Sequence, residues 1–184
     1  MITDKITWPK HYNNALADYN VVAEVAADDI TAEQLWPFLT NLSDLMKVNN
    51  EYVDAAPVDS GVSDPHLFKD EIFTLATDAY KATVKVIETV EPKGDRPGRL
   101  CWEGEGVLNS TGETFAFVHL WLLDVEKGKN LNVISALAVN GKVLDENYFA
   151  DLNQRYLSGI VKYARNKIAH TNHPFYPSTA HKQV

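Results

Sequence analysis

The longest regular pattern in the chain lies near the C-terminus, over residues 146–170. Apolar residues recur there at positions close to i, i+3, i+4 and i+7: Phe149, Leu152, Tyr156, Ile160, Tyr163 and Ile168. This spacing predicts an amphipathic helix with Asp145 as its N-cap. From residue 146 to residue 168 the helix would be roughly 34 Å long at 1.5 Å per residue. A helix of that length requires a large apolar surface on which to pack.

Upstream of this helix, the pattern changes to the alternation of β-strands. In residues 80–90, for example, Tyr80, Ala82, Val84 and Val86 alternate with polar residues, which is typical of a half-buried strand. Strands are predicted at residues 19–27, 51–56, 67–77, 80–90, 99–107, 114–125 and 130–139. Two short helices follow the first strand, at residues 32–39 and 42–46. Thr31 and Gln34 have the spacing of a capping box before the first of these.

This order of elements predicts an α+β fold. The helices and strands are segregated rather than alternating, which argues against a parallel nucleotide-binding sheet. The chain of 184 residues is expected to form one domain at residues 19–170. Residues 1–18 lack periodicity and are predicted to be an extended arm, and residues 171–184 a tail.

Charge and cysteine content restrict the possible partners and the location. The formal net charge is -8, which argues against nucleic acid and anionic membranes as partners. The single cysteine, Cys101, excludes an intramolecular disulfide and favours a reducing compartment. No N-terminal segment is apolar enough for a signal peptide, and no run could span a bilayer. We therefore predict a cytoplasmic protein.

Residues 114–125 are apolar on both faces of the predicted strand. One face carries Phe115, Phe117, His119 and Trp121, and the other carries Ala116, Val118, Leu120 and Leu122. Periodicity does not decide which face points into the protein. An aromatic face turned outward would indicate a contact surface such as a homodimer interface. An aromatic face turned inward would fill or shape a pocket.

Residues 99–107 change from large to small side chains along one face. Leu100 and Trp102 share this face with Gly104 and Gly106. The glycines predict either room beside the sheet or a bend in the strand. Trp102 is therefore the leading candidate for a residue that lines a pocket, although ordinary core packing also accounts for it.

Two sequence stretches resemble a known superfamily. EQLWPFLTNLSDLMKVN is similar to an early tryptophan-bearing helix followed by a short second helix, and LCWEGEG with the turn NSTGETF is similar to paired central strands. Together with the element order, these stretches resemble the START-like (SRPBCC) superfamily, which includes birch-pollen-allergen-like proteins and polyketide cyclases. The resemblance covers roughly residues 19–168. It implies a helix-grip fold, in which a strongly curved antiparallel sheet of about seven strands wraps the C-terminal helix around a hydrophobic cavity.

The first functional hypothesis is that this cavity binds a small hydrophobic or amphipathic molecule without a cofactor. An apolar pocket with a few orienting polar groups suits such a ligand. The candidate ligand-binding residues are Trp102, Tyr80, Val84, His119, Trp121 and Tyr156. No metal site is predicted, because His170, His173 and His181 lack a framework of cysteine or carboxylate ligands.

Two alternatives remain open from the sequence. A cyclase-like or aromatase-like enzyme would use His119 with a tyrosine as an acid–base pair, since the pKa of histidine suits neutral pH. An interaction module would instead use the apolar strands at residues 114–125 and 130–139 to bind a second copy or another protein. The direction of His119 distinguishes these possibilities.

Overall fold

The computed structural model describes residues 2–48, 52–58, 66–125, 131–141 and 144–171. Two 3-10 helices, Ile2–Lys5 and Asn14–Leu16, precede the main elements. The strands are β1 (Tyr19–Ala27), β2 (Tyr52–Pro57), β3 (Ile72–Thr77), β4 (Tyr80–Val90), β5 (Gly98–Leu108), β6 (Thr114–Val125) and β7 (Leu131–Asn140). The α-helices are α1 (Ala32–Leu39), α2 (Leu42–Val48) and α3 (Glu146–Thr171).

The α+β helix-grip architecture is confirmed. The seven strands form one open antiparallel sheet in the order β1-β7-β6-β5-β4-β3-β2. The helix α3 packs on one face of this sheet and contacts β1, β7, α1 and α2. We call this face the inner face and the opposite one the outer face. The register between β4 and β5 shifts between Val86 and Glu88, a bulge of the kind that bends strands.

Local capping interactions account for where two of the helices begin. The side chains and backbones of Thr31 and Gln34 bond reciprocally at the start of α1, with N–H···O distances of 2.9 and 3.2 Å. Asp145 Oδ1 accepts a hydrogen bond of 2.7 Å from the Tyr148 N–H at the start of α3. Both caps were predicted from the sequence. Farther along α3, the Tyr163 hydroxyl donates to Asp44 Oδ1 of α2 at 2.9 Å.

The aromatic face of β6 points inward. Phe115, Phe117 and Trp121 belong to the main core beneath α3, together with residues of β1, β4 and β5. The other face of β6 contributes to a second, smaller core on the outer face of the sheet. We call this second core the outer cluster; it comprises Cys101, Val118, Leu120, Leu122, Ile134 and Ala136. The two sides of β6 are therefore buried against different partners.

The N-terminal arm covers the outer cluster. Ile6, Trp8 and Tyr12 pack against it, so a surface that would otherwise be apolar is shielded within the same chain. The arm was predicted to be extended, but it contains two short 3-10 helices and a turn in which the Tyr12 N–H donates to Pro9 O at 2.9 Å.

Polar contacts fix the arm at both of its ends. Arg99 Nη2 donates to Thr7 O at 2.8 Å, and Lys5 pairs with Asp124 at 2.6 Å. Near β1, Asn140 Nδ2 donates to Leu16 O and Asn140 Oδ1 accepts from the Tyr12 hydroxyl, each at 3.0 Å. The arm is thus held to β5, β6 and β7 by directional bonds as well as by apolar packing.

One predicted strand is shorter than its apolar pattern indicated. The prediction ran from residue 67 to residue 77, whereas β3 begins at Ile72. A turn precedes it, in which Asp70 has a φ of 70° and the Glu71 N–H donates to Phe68 O at 3.2 Å. Of the predicted tail, residues 172–184 lie outside the described residues. No helix in the described ranges is both long and apolar enough to cross a membrane.

Removal of residues 2–18 should uncover the outer cluster and make Cys101 reactive. Burial raises the pKa of the Cys101 thiol to about 12 in the intact chain. Without the arm the pKa should fall toward its usual value of about 8.5, and the thiolate should react with DTNB at least about a hundredfold faster. Because Cys101 is the only cysteine, the labelling signal has no background. Light scattering should also detect self-association of the truncated protein.

The matched control is Leu16→Ala, which alters a side chain of the same arm that is 73% exposed. This variant should label as slowly as the wild type. If Cys101 of the truncated chain stays as unreactive as in the intact protein, the arm is not what protects the outer cluster.

Candidate ligand-binding site

A small cavity lies between the inner face of the sheet and α3. It has a volume of about 30 Å³, which is room for roughly one or two water molecules. The sheet residues that line it are Leu75, Tyr80, Trp102, Phe115, Phe117, His119 and Leu137, and the α3 residues are Phe149, Leu152, Asn153 and Tyr156. The cavity is therefore mostly aromatic, and it is far smaller than a typical ligand pocket of about 300–1,000 Å³.

Four of the six residues proposed from the sequence line this cavity. These are Trp102, Tyr80, His119 and Tyr156. Trp121 and Val84 are fully buried on the same inner face but do not line it. Trp121 lies beside Tyr156, with ring centroids 5.0 Å apart, so it supports a lining residue rather than reaching the cavity.

The space that the glycines of β5 leave is occupied by aromatic rings. Gly106 is paired with Phe115 across the strands, and Gly104 with Phe117. A Cβ atom at Gly104 would lie 2.8 Å from Phe117 Cζ, and one at Gly106 would overlap the ring of Phe115. The glycines thus accommodate two phenylalanine rings that cross β5, and this packing accounts for the small size of the cavity.

A buried polar network forms one wall of the cavity. His119 Nε2 lies 2.7 Å from Ser135 Oγ, and Ser135 Oγ lies 2.5 Å from Asn153 Oδ1. Asn153 Nδ2 donates to the backbone carbonyl of Ser135 at 3.0 Å. The network therefore connects β6, β7 and α3 within an apolar core, where each unpaired polar group would be costly.

The direction of each hydrogen bond follows from the Ser135 carbonyl, which can only accept. Asn153 must direct its NH₂ group to this carbonyl and its Oδ1 to the serine hydroxyl. The serine hydroxyl donates its one hydrogen to Asn153, so Ser135 Oγ accepts from His119. His119 consequently carries its proton on Nε2, and Nδ1 holds a lone pair.

This arrangement makes His119 a poor acid–base catalyst in the closed cavity. Burial lowers the pKa of His119 from its ordinary 6.5 to about 3, so the ring is neutral at physiological pH. A base with such a low pKa is weak, and a catalytic group works best with a pKa near the operating pH. Ser135 is not activated as a nucleophile either, since its hydrogen is directed to Asn153 and not to the histidine.

Trp102 has a buried indole N–H without a hydrogen-bond partner among the described residues. Its ring pairs directly with His119 across β5 and β6, with centroids 5.3 Å apart and planes at 82°. A buried donor without a partner costs about 1–3 kcal/mol relative to one that is bonded. A residue that lines the cavity and packs against a neutral histidine thus carries an unused donor.

Two residues of the polar network were missed by the sequence analysis. Asn153 lies on the apolar stripe of α3, one residue after Leu152 and between Phe149 and Tyr156, where a polar residue is an exception. Ser135 is a buried polar residue in a strand whose residues 133–139 are otherwise apolar. A polar residue at an apolar position was therefore the available signal, but neither residue reveals its partner in the sequence.

Metal ligands do not converge in the part of the chain that the structure describes. No group of three or more His, Cys, Asp or Glu side chains comes together there. His170 is exposed near the end of α3, and His173 and His181 lie outside the described residues.

Solved structures with the same architecture were found by structural comparison. A hypothetical protein from Helicobacter pylori matches with a TM-score of 0.73 and 20% sequence identity, over 87% of this chain and 96% of its own. An uncharacterized protein from Rhizobium leguminosarum matches with a TM-score of 0.58 and 10% identity, over 80% and 94%. Ara h 8.0201 matches with a TM-score of 0.51 and 11% identity, over 83% and 98%.

These similarities establish the fold and nothing finer. No family model matches the sequence, and no curated protein does. The chain has the α+β helix-grip fold that was predicted from its element order. At identities of 20% and below, however, a ligand or an activity cannot be transferred from these structures.

The packing of Phe115 over Gly106 can be tested by a double-mutant cycle. Gly106→Ala should destabilise the protein by about 1–3 kcal/mol, because the added methyl group overlaps the ring. Phe115→Leu in the same chain should recover part of this loss, since the smaller side chain vacates the space. Urea unfolding of both single variants and the double variant measures the coupling. Strictly additive losses would show that the ring and the glycine do not interact.

The pH dependence of stability tests the environment of His119. Its pKa is lower in the folded protein than in the unfolded chain, so the unfolded state takes up this proton first as the pH falls. The stability contribution is complete above about pH 6.5 and is lost toward pH 3, by up to about 1.4 kcal/mol per pH unit.

His119→Gln retains an N–H donor for Ser135 but does not titrate. Urea unfolding of both proteins between about pH 7 and pH 4.5 should show a shallower loss of stability in the variant. Parallel losses in the two proteins would contradict the burial of an uncharged histidine.

Proposed function

We propose that this protein binds a small hydrophobic or amphipathic molecule in the cavity between the sheet and α3. The observation that carries this proposal is the buried Trp102 N–H, which has no partner among the described residues and belongs to a residue lining an aromatic cavity. A ligand that accepts this hydrogen bond recovers the cost of leaving the donor unpaired. In this proposal residues 19–170 form the binding domain, and the described part of the arm, residues 2–18, covers its outer face.

The size of the cavity sets a condition on binding. A volume of about 30 Å³ is too small for a ring-sized molecule, so side chains must move before such a ligand fits. The rings of Phe115 and Phe117 contribute to the walls and belong to side chains, which can change rotamer without a change in the sheet. We therefore propose that the structure represents a closed state and that the ligand stabilises an open one.

Binding accounts for the site better than catalysis does. The neutral His119 and the serine hydroxyl directed to Asn153 provide orienting polar groups, which a binding site needs. Neither of them provides a proton donor or a nucleophile at neutral pH. The apolar outer face of β6 and β7 is also a weaker basis for a function, because the arm already covers it.

Ligand titration with a cavity-filling variant tests this proposal. Intrinsic tryptophan fluorescence should respond saturably to small neutral aromatics, since Trp102 lines the cavity and Trp121 lies next to a lining residue. Native mass spectrometry should detect a one-to-one complex. Leu137→Phe adds a ring to the cavity wall and should weaken binding at least about tenfold, because it occupies the ligand's space.

The control is the same chemical change at Leu16, which is 73% exposed on the arm. Leu16→Phe should bind as the wild type does. If neither assay detects binding of any aromatic, lipid or polyketide probe, the proposal is overturned. Equal binding by the wild type and Leu137→Phe would overturn it as well.

A further inference from the structure

The cavity has no group that could neutralise a charged ligand. Among the described residues that line it, none is Lys, Arg, Asp or Glu, and His119 is neutral. An ion that is buried without a counter-ion loses several kcal/mol of hydration free energy. A carboxylate or an ammonium group should therefore be excluded from the region around Trp102 and His119. This requirement rules out fatty acids in their ionised form.

Besides the hydroxyls of Tyr80 and Tyr156 and the amide of Asn153, the lining of the cavity includes one further donor and one further acceptor. The Trp102 N–H is the donor, and the lone pair on His119 Nδ1 is the acceptor. The two rings lie 5.3 Å apart between centroids, so both atoms belong to the same small region. A hydroxyl group can satisfy both, because it accepts through its oxygen and donates its hydrogen. An ether can satisfy only the donor.

The aromatic rings around this region favour flat ligands. Tyr80 and Phe115 meet edge to face with centroids 5.3 Å apart, and Trp102 and His119 do the same. Flat rings pack well against such walls, in offset or edge-to-face contacts. A rigid ligand also loses less conformational entropy than a flexible chain does when it is enclosed.

We infer that the ligand is an uncharged, planar aromatic molecule whose hydroxyl group bonds to Trp102 and His119. This inference rests on the proposed function and specifies the ligand class for the same site. Selectivity arises from three features together: an aromatic enclosure, a paired donor and acceptor, and the lack of a counter-ion.

Four probes separate these features on the wild-type protein. 2-Naphthol has the ring and the hydroxyl, 2-methoxynaphthalene has the ring and only an acceptor, and 2-naphthoate has the ring and a negative charge. Decan-1-ol has the hydroxyl on a flexible chain. Calorimetry at neutral pH should rank 2-naphthol first, about tenfold tighter than 2-methoxynaphthalene and at least about a hundredfold tighter than 2-naphthoate.

Variants assign the two polar contacts. Trp102→Phe should weaken 2-naphthol and 2-methoxynaphthalene by a similar factor, because both accept from the indole. His119→Leu should remove the advantage of 2-naphthol over 2-methoxynaphthalene, because only the hydroxyl donates to the histidine. The probe series on the wild type remains decisive if either variant fails to fold.

The outcomes distinguish the inference from the function on which it rests. If 2-naphthoate or decan-1-ol binds as tightly as 2-naphthol, the ligand class is wrong while the binding function stands. An equal affinity for 2-naphthol and 2-methoxynaphthalene overturns the role of His119 as acceptor. If none of the probes binds, and no lipid or polyketide does, the binding function fails as well.

Discussion

The structure depends on covering both faces of β6. This strand lies in the middle of the sheet, between β5 and β7, and apolar residues project from both of its sides. Apolar surface left in water costs about 25 cal/mol per Å², so each face requires its own partner. The helix α3 covers the inner face, and the N-terminal arm covers the outer one. The positions of the chain's first and last described segments both follow from this requirement.

Inward placement of the aromatic face also determines the character of the cavity. Phe115 and Phe117 need space across β5, and Gly106 and Gly104 provide it. His119 lies on the same inward face and is buried with its neighbours, so its ring requires a hydrogen-bond partner within the core. Ser135, whose own hydroxyl hydrogen is directed to Asn153, accepts the Nε2–H of His119, so Nδ1 keeps its lone pair. A packing requirement on one strand thus fixes the chemical state of a histidine.

Features that depend on neighbouring residues in the chain could be predicted from the sequence. The capping box of Thr31 and Gln34, the N-cap at Asp145 and the bounds of β1 and β6 are of this kind. The shared inner face of Trp102, Gly104 and Gly106 also follows from strand alternation. These signals are local, so no knowledge of the tertiary fold is needed to read them.

Features that depend on distant contacts could not be predicted. The face of β6 that points inward is set by α3 and the arm, and the alternation of β6 is compatible with both choices. The pairing of Ser135 with Asn153 joins a strand to a helix, and each residue alone is only a polar exception in an apolar pattern. The use of the space beside Gly104 and Gly106 likewise depends on Phe117 and Phe115 in the adjacent strand.

A closed cavity is compatible with a binding function on energetic grounds. A permanently empty cavity of about 300 Å³ would cost on the order of 7 kcal/mol, at about 24 cal/mol per Å³. That cost is comparable to the entire stability of a typical domain, about 5–15 kcal/mol. Aromatic side chains that fill most of the space avoid this cost while no ligand is bound. If the site must open to bind, the apparent affinity would equal the affinity of the open form multiplied by the fraction of molecules that are open. In the binding function proposed above, a ligand that bonds to Trp102 would gain an interaction that the closed state lacks, and this difference would shift the equilibrium toward the open form.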